Sequence, residues 1–130
     1  MFNIKQLAVA DTADIHIENS EGEPMYTDDG KPMTITVYGP GTKKFAAAQA
    51  ERNAKIMESF KRKANKKDST LFFDDAEFLA SITKSFNNFE YDNSKEGKEL
   101  FLACYLDASI GFIAGQVMKE AGDWANFTTK

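Results

Sequence analysis

The chain has 130 residues, 42% of them hydrophobic and 28% charged, with a formal net charge of −4. This is enough chain for one domain to bury a core without disulfides or a metal, and the composition matches an ordinary soluble globular protein, not a disordered one. One cysteine, Cys104, excludes an internal disulfide; with one histidine, His16, it leaves too few ligands for a zinc site.

The opening MFNIKQLAVADTAD pairs one Lys with a short apolar stretch and turns acidic at once, so it lacks the apolar region and cleavage site of a secretory leader. No apolar run approaches the ~18 residues that span a bilayer, and the expected location is the cytoplasm. Residues 13–41 read as β structure. Ile15 and Ile17 alternate with His16 and Glu18, and Met33, Ile35 and Val37 alternate with Thr34, Thr36 and Tyr38. Asp29-Gly30 between them is a two-residue hairpin signal, and Pro24 and Pro32 belong at strand starts or edges. A small antiparallel meander of two or three strands is expected.

After the GPG of 39–41, Thr42 is an N-cap for a long helix through residue 67, with no internal Gly or Pro. Phe45, Gln49, Arg52, Ile56 and Phe60 form one stripe, and Ala46, Ala50, Ala54 and Met57 its neighbour. A polar break at 66–70 precedes a second helix starting at Asp74 or Asp75, with Ala76, Leu79, Ala80, Ile82 and Thr83 at helical spacing. Residues 85–97 read as an ordered connector. Ser94, Gly97 and Lys98 open a third helix with the face Leu100, Phe101, Cys104 and Tyr105. A fourth covers 110–124, where Ile113, Val117, Ala121 and Trp124 recur at helical spacing, with Gly122 as a stop. Gly111 and Gly115 would permit close helix packing. The expected fold is α+β in a single domain, 1–130, with a β-rich part at 1–41 and about four mostly antiparallel helices in 42–130.

Charge is unevenly placed. Residues 1–30 carry a net −6, and residues 51–67 a net +5. The basic stretch could track a phosphate backbone, but no aromatic residues interleave with it and no nucleic-acid motif contains it, so a solvated helix end is favoured. A catalytic set is missing from the sequence. His16 has no partner motif and reads as an exposed strand residue, while Cys104 on an apolar helix face reads as a buried thiol. Asp28 and Asp29 lack the spacing of a calcium loop, GPGTKK lacks the phosphate-loop pattern, and no cofactor is expected.

Three stretches, DGKPMTITVYGPGTKKFAAAQAERN at 29–53, FLASITKSFNNFEYD at 78–92 and SIGFIAGQVMKEAGDWANF at 109–127, resemble in their order and spacing the tail assembly chaperones of long-tailed bacteriophages. The resemblance covers most of the chain from about residue 11. It implies a non-enzymatic protein of the infected host cytoplasm that binds the tape measure protein during tail building and is absent from the finished virion. Many members also have a longer, frameshifted form. Two rival readings are a structural virion component, such as a minor tail or connector protein, and a small nucleic-acid-binding regulator. Lys61, Arg62 and Lys63 are candidates for an acidic contact, and Phe86, Phe89 and Tyr91 for an apolar one, with core packing the favoured role of the aromatics. The acidic amino-terminal region and the basic helix end could also support head-to-tail self-association. Trp124 is expected to close the fold as a wedge, ahead of the alternative that it is held out for a partner, with Phe127 folding back beside it.

Overall fold

Apolar residues alternate with polar ones in Thr12–His16 (β1) and Thr34–Tyr38 (β2), and these pair antiparallel with Ile15 opposite Ile35. The computed structural model of the protein describes residues 1–61 and 68–128, and the side chains of all of these except 59–61 and 68–72. The elements that follow are α1 (Lys43–Lys61), α2 (Asp68–Ile82), β3 (Thr83–Asn87), α3 (Gly97–Leu106) and α4 (Gly111–Ala121), with 3-10 turns at Ile4–Leu7, Ala108–Ile110 and Trp124–Phe127. The three strands form one antiparallel sheet in the order β1-β2-β3. The expected α+β class, an antiparallel sheet with four helices, is the observed one.

Ile15, Ile17, Ile35 and Val37 belong to the core, where α4 packs against β1 and β2 and α3 against β3, adding Val117, Ala121, Phe101 and Tyr105 to the same cluster. Ile35 and Val37 have no exposed surface, which marks β2 as the central strand. Such a strand needs a partner on each side for its backbone groups, and the second partner comes from outside the amino-terminal part. Residues 83–87, expected as a helix end and a connector, are β3, paired to β2 with a bulge between Thr36 and Val37. Thr83 marks the change of element. Its Oγ1 donates to Leu79 O at 2.7 Å, and Tyr105 OH lies 2.6 Å from that Oγ1, so the buried phenol has an acceptor.

Beyond β1 and β2 the ladder continues: Ile17 N donates to Met33 O, Met25 N to Ile17 O and Met33 N to Met25 O. The hairpin expected at Asp29-Gly30 is present with a longer loop. Gly30 N donates to Thr27 O, and Gly30 alone takes the left-handed conformation, φ 85°, while Asp29 does not. The loop is therefore the three-residue kind with a left-handed glycine, not a two-residue turn that requires both central residues left-handed.

α1 begins as expected, with Phe45 N donating to Thr42 Oγ1 at 3.2 Å. Its buried edge is Phe45 and Ala48, followed by half-buried Arg52, Lys55 and Ile56; Gln49, Ala46, Ala50, Ala54 and Met57 are exposed. α2 is its chief neighbour, so only a narrow stripe is covered. Phe45 meets Phe78 edge-on, and Arg52–Asp75 at 2.6 Å and Lys55–Glu77 tie the two helices. α2 begins at Asp68, earlier than expected, because Asp68, Ser69 and Thr70, read as a polar break, are residues that favour a helix start. α3 buries Phe101, Cys104 and Tyr105, three of the four residues expected on its face, with Leu100 packed at the margin. Gly111 and Gly115 do not mediate close packing, because a Cβ at either would meet nothing within 4 Å.

The fold closes at its carboxyl end on Phe127, not on Trp124. α4 ends at Ala121, and the 3-10 turn Trp124–Phe127 breaks the helical spacing that would have carried Trp124 onto the buried stripe. Trp124 is 56% exposed and Phe127 1% exposed. Among the described residues no single helix is long and apolar enough to cross a membrane; α3 and the segment Ala108–Ala121 would be so only together, and they bend by 77°.

Candidate partner-binding groove

Where the hairpin beyond β1 and β2 meets the start of α4, the domain leaves an open groove of about 390 Å³. Ile17, Met25 and Met33 form its hairpin wall, Phe89 and Tyr91 the wall after β3, and Ile110, Phe112 and Ile113 the wall at α4. Among the described lining residues Glu90 carries the charge. Two methionines in one wall give a soft surface that fits differently shaped apolar faces.

Polar contacts outside the groove hold its walls in place. Gln116 on α4 accepts from Glu18 N at 2.8 Å and donates to Glu18 O at 2.7 Å, clasping the residue after Ile17. Tyr91 OH donates to Asp107 Oδ2 at 2.8 Å, while Asp107 Oδ1 accepts from Ser109 N at 3.0 Å. The Ser109 hydroxyl, which also donates to Asp107 Oδ1, then the Tyr91 hydroxyl and the Ser109 N–H hold the Asp107 carboxyl below the usual carboxylate range. His16 is half-buried, not exposed as expected. Its Nε2 lies 2.9 Å from Met25 O, and its ring meets Tyr26 edge-on. The histidine thus braces the methionine wall.

Cys104 lies at the base, and burial, aided by the Asp107 charge, pushes its thiol from 9.0 up to about 11. At neutral pH it is a protonated thiol and not a nucleophile. Because the folded value is raised, its contribution to stability is complete below pH 9 and is lost as pH rises toward about 11, where only the unfolded chain releases the proton readily. Tyr105, raised by burial, acts in the same direction above pH 10. Chemical denaturation from pH 8.5 to 11 should show a shallower decline for Cys104→Ala than for the parent. Equal slopes would contradict this.

The structure separates the candidate residues of the sequence. Phe89 and Tyr91 stand together in the groove. Phe86 is half-buried behind them, its ring centroid 4.9 Å from Phe89 and 4.7 Å from Phe101. Trp124 stands elsewhere, next to Gly41. Lys61 is the last residue of α1 and its side chain lies outside the described ones; Arg62 and Lys63 lie outside the described residues. Arg52 and Lys55 of the basic stretch are paired with Asp75 and Glu77.

Ile17, Met25, Met33, Ile110 and Phe112 were not among the sequence candidates. Two signals could have found them: hairpin pairing sets Met25 beside Met33, and Phe112 sits one position off the buried stripe of α4. Among the described residues no three His, Cys, Asp or Glu side chains gather as a metal site, and Asp29 accepts from Thr27 within its turn. In comparisons with protein-family models, curated proteins and solved structures, none matches this chain.

Proposed function

We propose that this chain is a non-enzymatic tail assembly chaperone of a long-tailed bacteriophage, which holds apolar faces of the tape measure protein in the host cytoplasm before the tail tube encloses them. The observation that carries the reading is the open groove of Ile17, Met25, Met33, Phe89, Tyr91 and Phe112. An amphipathic helix laid in such a groove leaves water through its apolar face alone, and methionines let successive, non-identical helix faces fit. All three stretches that resemble the chaperones contribute walls: Met33 from 29–53, Phe89 and Tyr91 from 78–92, and Ile110, Phe112 and Ile113 from 109–127.

Co-expression with the tape measure protein of the same phage tests the reading. The expected result is a larger soluble fraction of that protein and a complex on affinity purification, with the chain missing from purified virions. An insoluble tape measure protein with no complex would overturn it, and a stoichiometric band in virions would favour a structural component.

A further inference from the structure

β3 is a terminal strand of the sheet, paired on one side only. The direction of its backbone groups follows from β2. Ile17 N donates to Met33 O and Gly39 N donates to Asp11 O. By the period of two, odd-numbered residues of this stretch turn their backbone toward β1 and even-numbered ones toward β3. Thr34 and Thr36 lie opposite Asn87 and Ser85, so Phe86 between them turns its N–H and C=O away from the sheet. Among the described residues no backbone group outside the sheet bonds to Phe86. An edge of this kind is a template for a further strand.

The space beside that edge is an open cleft of about 410 Å³, and Lys84, Ser85 and Phe86 all line it. Successive strand residues point to opposite faces, so a cleft that touches three in a row lies at the strand's edge and not over one face. Its apolar floor is Phe86, Phe89, Leu100 and Phe101. Its rim is acidic, with Glu90, Asp92 and Glu96. Lys95, also on the rim, is paired with Glu99 at 3.7 Å, and Glu96, the N-cap residue of α3, makes no side-chain capping bond. Lys84 and the bulge blunt the Thr83 end of the strand, which leaves the Phe86 end as the open one.

We propose that this edge takes a strand from another protein: an extended peptide with an apolar residue opposite Phe86 and lysine or arginine on either side of it. The peptide backbone exchanges hydrogen bonds with Phe86, its apolar side chain enters over Leu100 and Phe101, and its cations reach Glu90, Asp92 and Glu96. A helix cannot bind in this way, because its backbone groups are already paired within itself. The cleft is thus a second surface, independent of the chaperone reading and divided from the helix-binding groove by residues 89–91, which line both. A contact this short lies below the roughly 1,200 Å² of stable interfaces, so binding is weak and falls with salt.

Titration of the full chain with the end-capped peptide Lys-Val-Lys-Val-Lys-Val, followed through the chain's backbone amide resonances, tests the proposal. The largest shifts should fall at 84–88 and 96–101. The same peptide methylated on its valine nitrogens keeps every side chain and charge but loses the donors that face the edge, and should bind at least about tenfold more weakly. Replacing each lysine of the peptide by glutamate should abolish binding. Glu96→Lys, at an exposed position, should weaken binding of the lysine peptide several-fold with unchanged thermal melting, and Glu96→Gln should weaken it less. Absence of binding, equal binding of the methylated peptide, an affinity unchanged by Glu96→Lys, or shifts confined to 17–33 and 110–113 would each overturn the proposal.

Discussion

Phe127→Ala should lower the unfolding free energy by about 3–5 kcal/mol, whereas Trp124→Ala should lower it by less than about 1 kcal/mol. Phe127 is among the largest fully buried side chains, and its backbone O accepts from Ala10 N, joining the two ends of the described fold. The ring is packed so closely that a Cβ at Gly39 would lie 2.5 Å from it. The turn after β2 can pass there only because residue 39 has no side chain, so Gly39→Ala should push the ring aside and cost about 1–3 kcal/mol. Removing the ring leaves a void bounded by backbone, which cannot collapse to fill it. Trp124, more than half exposed, leaves no comparable void. Chemical denaturation of both variants decides the matter, and equal losses would contradict the assignment of Phe127 as the closing residue.

Phe86→Ala should cost about 2–4 kcal/mol, less than a wholly buried Phe because the ring is half-buried. Its ring lies 4.7 Å from Phe101, 4.9 Å from Phe89 and 6.2 Å from Tyr105. It therefore backs the groove wall from behind and anchors β3 against α3. Phe86→Leu keeps most of the apolar volume and should recover more than half of the loss. A Phe86→Ala variant with the parent's denaturation midpoint would contradict this and move Phe86 to the surface.

Some of this architecture is legible in the residues and some is not, for physical reasons. The α3 face could be read because Phe101, Cys104 and Tyr105 sit at helical spacing in a short apolar run. β1 and β2 could be read because their apolar residues alternate. β3 could not, because Ile82 passes into Thr83 with no Gly or Pro between them, and its pairing depends on the unmet backbone of β2. Trp124 misled because helical spacing was carried past Ala121, where Gly122 and the Asp123 cap start a tighter turn. The groove was half legible. Phe89 and Tyr91 stood out as aromatics in a connector, but Met25, Met33 and Phe112 come from segments far apart in sequence and acquire a shared role only through the hairpin register and the Gln116–Glu18 clasp.

Hydrogen exchange of the full chain, with and without a helical fragment of the tape measure protein, tests the groove most directly. The expected result is slowed exchange at 17–33, 89–91 and 110–113, with 43–58 of α1 unchanged. Protection confined to α1, or none at saturating fragment, would contradict the assignment of the groove as the surface through which this protein works.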